Sequence, residues 1–318
     1  MRRTTYALLD PSSPVPRARG LCALAVMTKV PLAGESKTRL APPLTRGEAA
    51  DLSACFLRDT AASVAAACAA SGGAAQGVVV YTPAGAAASF DALLPAGFAL
   101  LAQRGEGFGE RLRNAARDLF AVGYGSLCLV ASDSPTLPTR ALVAAVEELS
   151  RAGERVVLGA ADDGGYYLIG VKSDSPRLFE EIDWSTERVA AQTVARAEEC
   201  CLPVALLPAW YDVDDHRALA RLCEELLGEP RETTQQPRGE TPCEDNAANF
   251  RAYDAPHTRD FLARIVAREG RARIWREGDA AGVCARTAED RADSAAVEGA
   301  GSVAAGAVGG AGRAGESL

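Results

Sequence analysis

The sequence predicts an α/β domain built on a mainly parallel central sheet. Short apolar runs alternate with helical patterns from Leu21 to Leu227, and the conspicuous polar motifs fall just after the apolar runs. Strands that alternate with helices are joined by crossovers, and crossovers make neighbouring strands parallel. Ligands of such sheets bind beyond the carboxyl ends of the strands, where the motifs would lie.

LCALAVM, starting at Leu21, has the continuous apolar character of a buried strand. After a polar loop, Ala49, Leu52, Phe56, Leu57, Thr60 and Val64 recur at helical spacing with charges between them. GVVVYT and FALLAQ read as strands separated by a short helix over residues 86–93. An amphipathic helix follows over 107–120, with Leu112, Ala116, Leu119 and Phe120 on one face. SLCLVAS is a further buried strand, Thr139–Ser150 a helix, and RVVLGA and YYLIGV two more strands. A helix over 186–200, the strand LPVALLP and a helix over His216–Leu227 complete the pattern.

Residues 1–20, rich in Pro, Ser and Arg, are expected to be a flexible leader, and 21–228 the folded domain. Residues 229–318 read as a polar linker and a low-complexity Gly/Ala tail that is expected to be disordered. Within them FLARIVAREGRARIW could form a short helix, without assigned chemistry.

Of the 318 residues 48% are hydrophobic and 24% charged, which supports a normal globular core. A net charge of -8 argues against a nucleic-acid binder, whose footprint would be basic. Nine cysteines form no C-x-x-C pair and only two histidines accompany them, so a zinc site of familiar spacing is not expected. Most of the cysteines read as small core residues of a protein in a reducing cytosol. The apolar run from Leu21 to Met27 lies far from Arg2 and Arg3 and leads into a charged loop, unlike a signal peptide. No stretch is expected to span a membrane, and a cytoplasmic location follows.

Lysine is scarce: three occur against thirty-one arginines, and two of them, Lys29 and Lys37, share the segment MTKVPLAGESKTRL. An ammonium is a compact charge on a flexible stem, well suited to phosphate. Pro31 and Gly34 break regular structure and free backbone N–H groups, while Lys29, Lys37 and Arg39 supply positive charge. Phosphate binding is the expectation, a solvated basic turn the alternative. The segment is not a P-loop, since Ser36 precedes Lys37 where that motif needs Gly.

In VASDSPTLP, Asp133 ends an apolar strand, where a carboxylate can hold Mg²⁺ or Mn²⁺, while Ser134 or Thr136 could cap the next helix. In GAADDGGYYLIG, Asp162 and Asp163 precede two glycines; they form a hairpin turn, an acceptor-orienting pair or a base. In WYDVDDHRALARL, Asp212, Asp214 and Asp215 repel one another unless a cation is near, so a metal ligand among them is expected beside a helix cap. His216 reads as a surface residue at the helix start. QRGEGFGERL, opening on Gln103, reads as a substrate-contacting loop or a plain helix entry.

MTKVPLAGESKTRLAPPLT, QRGEGFGERL, SDSPTLP, ADDGGYYLIG and YDVDD, in this order, resemble the bacterial DUF2064 proteins, a branch of the nucleotide-diphosphosugar transferase superfamily. The resemblance covers about residues 21–227. It implies a Rossmann-like GT-A fold of three layers, a nucleotide-activated substrate and a divalent cation. Some relatives are described as glycosyltransferases of arsenosugar biosynthesis; guanylyltransferases for 2-phospholactate and for molybdenum cofactor are more distant cousins. It gives Asp133 the role of the metal-binding aspartate. SDSP lacks the second carboxylate of a full D-x-D, which leaves Asp212 or Asp214 to complete the site.

The expected activity is metal-dependent glycosyl transfer from a nucleotide sugar to a small-molecule acceptor. Asp133, Asp212 and Asp214 would hold Mg²⁺ or Mn²⁺. Lys29, Gly34, Lys37, Arg39 and Gln103 would bind the nucleotide, and Asp162 or Asp163 would act on the acceptor. The alternatives are a nucleotidyltransferase that joins an NTP to a phosphorylated acceptor, and a non-catalytic nucleotide-binding protein.

Overall fold

The computed structural model describes residues 6–228 and 250–274, and these fall within one unit, Met1–Arg276. Among the described residues eight strands form one sheet: β1 (Ala7–Leu8), β2 (Cys22–Lys29), β3 (Ala75–Thr82), β4 (Ala99–Ala102), β5 (Ser126–Ala131), β6 (Val156–Ala161), β7 (Tyr166–Val171) and β8 (Val204–Trp210). Their order is β1-β4-β3-β2-β5-β7-β6-β8, and every pairing is parallel except those of β7, which runs against both β5 and β6. The mainly parallel α/β fold is therefore as expected.

Among the described residues six α-helices accompany the sheet: α1 (Arg46–Ala70), α2 (Phe108–Val122), α3 (Thr139–Ser150), α4 (Val189–Glu199), α5 (His216–Leu227) and α6 (Pro256–Glu269). Alternate residues of each strand point to opposite faces, so β2 sends Leu24 and Val26 to one core and Ala23 and Ala25 to the other. The first core is closed by Val64 and Ala67 of α1 with Leu142 and Val146 of α3. The second is closed by Leu112, Ala116 and Leu119 of α2 and Ala197 of α4. Helices on both faces of the sheet make the three layers.

Two segments depart from the sequence reading. The leader is part of the fold from Tyr6 onward: β1 extends the sheet beside β4, the buried Tyr6 hydroxyl donates to the Leu94 carbonyl (2.6 Å), and Ala18 is buried. Its apolar residues are too few to register as a strand pattern. From the presumed tail, α6 packs on α1 and α5, burying Phe261, Leu262 and Ile265 in a third core with Leu52, Phe56, Leu219 and Leu222. The rest of the expected tail, 229–249 and 275–318, lies outside the described residues.

Asp59, fully buried on α1, accepts from the backbone N–H groups of His257 (3.1 Å) and Thr258 (2.8 Å) and so caps α6 from another helix. Arg268 and Arg273 clasp Glu48 in the first turn of α1, and Arg273 beside Glu48 holds that carboxyl down to about 2. Two smaller differences concern helices. The expected helix over 86–93 is a single 3₁₀ turn, Ala87–Phe90, and the helix expected from 186 starts at Val189. By length and composition α1 is apolar enough to cross a bilayer, against expectation, but 56% of its apolar 18-residue window is buried inside the protein. Its alanine-rich surface serves two cores at once.

Candidate functional site

Strand β2 is the topological switch point. The chain leaves it by α1 to β3 on one side, and after β4 it crosses to β5 on the other. Helices diverge at such a point and leave a crevice beyond the strand ends. Because β7 is antiparallel, the β6–β7 turn lies at the same end of the sheet as the carboxyl ends of β2 and β5, and so does the segment after β8. Topology alone thus gathers the four motifs on one edge.

The segment after β8 is stitched to the strand ends through its backbone. Val213 N–H donates to the Asp133 carbonyl (2.9 Å), and Asp162 N–H to the Trp210 carbonyl (2.9 Å). Carboxylate oxygens of Asp133, Asp212 and Asp214 consequently lie within 4.8 Å of one another. Burial, then the charges of Asp133, Asp163 and Asp214, push the Asp212 carboxyl up to about 7.

Lys37 is brought against this group by its loop. The buried Ser36 hydroxyl accepts from Leu32 N–H (3.1 Å), and Lys37 follows in the left-handed region (φ 49°), opening a 3₁₀ turn over Thr38–Leu40. Its ammonium donates to Asp214 Oδ1 (2.6 Å) and Asp133 Oδ2 (3.1 Å) and lies 5.8 Å from the centre of the Phe56 ring, within cation–π range. The Lys37 side chain is 13% exposed, against 27% for Asp133 and 48% for Asp214, so the carboxylates face the crevice and the lysine backs them. Burial pulls the Lys37 ammonium toward the neutral form, but Asp133 and Asp214 outweigh it and its pKa is raised.

A cavity of about 280 Å³ adjoins the group, lined by Lys29, Lys37, Gln103, Phe108, Arg111 and Asp133 among others. The Gln103 amide nitrogen donates to the carbonyls of Val80 (2.7 Å) and Thr28 (3.1 Å), which ties the ends of β2 and β3 under the cavity. Lys29 is exposed at the end of β2. Gly34 borders a neighbouring cavity of about 230 Å³ with Ser36, Thr38 and Arg46. Arg39 is exposed, lines neither cavity, and has no ion-pair partner among the described residues.

The remaining motif residues divide their tasks. Asp163 accepts from Gly165 N–H (2.8 Å) within the β6–β7 turn, the hairpin alternative of the sequence reading. Gly164 there has φ +86°, and a Cβ would lie 2.1 Å from the Glu187 carbonyl oxygen, so glycine is required. Asp162 pairs with Arg221 (2.7 Å), whose guanidinium lies 3.8 Å over the Tyr211 ring. Asp215 caps α5 by accepting from Ala218 N–H (2.8 Å). Neither Ser134 nor Thr136 caps α3: Pro138 occupies that position, and the Thr136 hydroxyl bonds to that of Tyr211 (3.3 Å).

The sequence reading missed Phe56, Arg111 and Arg221. Arg111 holds the loop before α2 by donating to the carbonyls of Gly105 (3.1 Å) and Glu106 (2.9 Å). Its place in the first turn after the glycine loop was the available signal; Phe56 and Arg221 have none, because their partners are distant in the chain.

Three carboxylates with an internal cation between two of them form an oxygen donor set that demands positive charge, which suits Mg²⁺ or Mn²⁺. In the metal-free protein Asp212 also sets a pH dependence. A carboxyl raised to about 7 in the folded state keeps a proton that the unfolded chain has released at about 4. Its contribution to stability is therefore full below about pH 4 and lost as pH rises through about 7. Melting in chelator should show this decline in the native chain and a shallower one in Asp212→Asn; equal slopes would refute the assignment.

Residues 64–186 match the family described as "Uncharacterized protein conserved in bacteria (DUF2064)". No curated protein matches the chain. Among solved structures, the chain is similar to a Desulfovibrio desulfuricans G20 protein provisionally described as a nucleotide-diphospho-sugar transferase. That likeness has 29% identity and a TM-score of 0.60 over 77% of this chain and 97% of the other. Weaker likenesses include CMP:2-keto-3-deoxy-manno-octonic acid synthetase (11% identity, TM-score 0.41, 63% of this chain and 96% of the other). Another is a cytidylyltransferase of Leptospira borgpetersenii serovar Hardjo-bovis (11%, 0.38, 80% and 97%). Those two scores are too low to bear on function. The family that the motifs resemble is the one whose model matches residues 64–186, DUF2064.

Proposed function

We propose that this chain is a transferase acting on a nucleotide-activated substrate, and that the group transferred is a sugar passed from a nucleotide sugar to a small-molecule acceptor. The observation that carries this reading is the meeting of Asp133, Asp212, Asp214 and Lys37 at the switch point, beside a cavity lined by Lys29, Gln103 and Arg111. The likeness to the Desulfovibrio protein supports the nucleotide-sugar class.

Asp133, Asp212 and Asp214 would hold Mg²⁺ or Mn²⁺, which when bound would neutralise the charge of a leaving diphosphate. Lys29, Lys37 and Arg111 offer the cavity cationic donors for phosphate oxygens, each a charge-assisted hydrogen bond. Gly34 and Arg39, on the same loop but outside this cavity, would serve the nucleotide only where it extends beyond the cavity. Of the two hairpin carboxylates, Asp163 is the one whose charge is felt at Asp212, while Asp162 is held by Arg221. Asp163 is therefore the better candidate to orient the acceptor or take its proton, with Asp162 positioning the turn.

The test is a thermal-shift panel of nucleotides and nucleotide sugars with and without Mn²⁺, followed by product analysis with the stabilising ligand. Metal-dependent stabilisation by one nucleotide sugar, with release of its free nucleoside diphosphate on turnover, is expected. Release of pyrophosphate from an NTP, dependent on a phosphorylated acceptor, would make the chain a nucleotidyltransferase instead. No shift by any nucleotide at millimolar concentration would overturn the catalytic reading altogether.

A further inference from the structure

Lys37 answers to two kinds of partner. Its ammonium is bonded to Asp133 and Asp214, two of the three carboxylates that could hold a metal, and its side chain also lines the cavity shared with Lys29 and Arg111. An ammonium and a divalent cation compete for the same pair of carboxylates, because like charges at so short a range repel in a partly buried site. While the lysine stays, the metal binds more weakly.

The local chemistry lets it leave. Lysine has a compact head on a flexible stem, with donors that re-form in a new direction, whereas a guanidinium in a two-carboxylate grip is a planar fork fixed by its geometry. In a chain with thirty-one arginines, the cation between these carboxylates is one of three lysines. The loop's anchor is the neighbouring Ser36, so the lysine head can turn without unseating the backbone. Lys37 has somewhere to go only when an anion fills the cavity; otherwise its release strands a half-buried charge.

We propose that Lys37 is an internal competitor of the metal: it closes the acidic site while the cavity is empty and is drawn off by the phosphate groups of an incoming nucleotide. Metal and nucleotide then enter cooperatively, since each removes an obstacle to the other, and that coupling is reciprocal. The inference rests on the metal reading above. It gives Lys37 a positioning role distinct from simple phosphate binding: the residue that supports the nucleotide also weakens the metal site in its absence.

The experiment measures Mn²⁺ binding to the full chain without nucleotide, by the electron paramagnetic resonance signal of the free ion. Lys37→Met should bind Mn²⁺ about tenfold or more tightly than the native chain, a typical size for site-to-site coupling. Lys29→Met, which removes an equal charge from the cavity but none from the carboxylates, should gain less than about threefold; it separates occupancy from long-range charge. Lys37→Arg should stay as weak as the native protein. Melting curves verify that each variant is folded, and Lys37→Gln serves in place of Lys37→Met if that chain does not melt cooperatively. Equal affinity in the native chain and Lys37→Met, or an equal gain in Lys29→Met, overturns the inference while leaving the metal site standing. Absence of Mn²⁺ uptake by every variant at millimolar ion defeats the metal reading itself and the inference with it.

Discussion

Asp133→Asn should abolish metal-dependent stabilisation by the nucleotide and lower turnover by roughly 10²–10³-fold or more, the scale on which transition-state charge stabilisation is lost. The fold should survive, because Asp133 serves the architecture through its backbone: its carbonyl accepts from Val213 N–H at 2.9 Å, and that bond is unchanged by the substitution. Lys37 keeps Asp214 as a partner at 2.6 Å. Turnover measured over a Mn²⁺ titration, beside a metal-free melting curve, checks both halves. A variant with native turnover would remove Asp133 from the site, whereas an unfolded one would make it a structural residue.

Leu262→Glu should be the most destabilising single change in α6. Leu262 is fully buried among Leu52, Phe56, Leu219 and Leu222, and its neighbours Phe261 and Ile265 point into the same core. Burial of each such side chain contributes ~1.5–3 kcal/mol, and a charged group forced into their midst undoes several at once. The loss is comparable with the ~5–15 kcal/mol that holds a whole domain folded. Asp59→Ala should cost less, about 1–3 kcal/mol, by leaving the N–H groups of His257 and Thr258 without their acceptor. Urea denaturation of the full-length variants measures both. A native-like midpoint for Leu262→Glu would mean that α6 is dispensable. The site should suffer too, since Arg273 holds Glu48 and reaches the Pro43 carbonyl (3.4 Å), in the stretch that links the Lys37 loop to α1.

The strands were legible because a strand buried on both faces has an unmistakable apolar run; LCALAVM and SLCLVAS are such runs, and they became the paired strands β2 and β5. Helix α5 was legible to the residue, since Asp215 supplies its cap and Gly228 ends it. Short elements were not. β1 is two residues long, and its partner β4 lies about ninety positions away, so no local pattern could announce it. The carboxylate motifs were correctly gathered on one edge, because topology fixes which strand ends meet. What topology does not fix is the pairing within the edge. Lys37 was assigned to phosphate from its chemistry, yet it lies against two carboxylates from segments 96 and 177 positions downstream. Arg221 on Asp162 is the same kind of contact, across 59 positions. Such pairs are decided by the packing of whole elements, and spacing in one sequence carries no trace of them.

The cross-helix cap at Asp59 also bears on the order in which this protein is made. Synthesis proceeds from the amino terminus, so the elements become available in chain order. The sheet is complete once Trp210 has appeared, and α5 by Leu227, yet the partners of Asp59 are His257 and Thr258. Until they arrive, a carboxylate on the first helix waits for donors, and the surface that α6 will cover stays open. A nascent chain that has released only the sheet and α5 thus lacks the segment that completes the third core. The apolar surface of the third core stays uncovered until α6 arrives to close it.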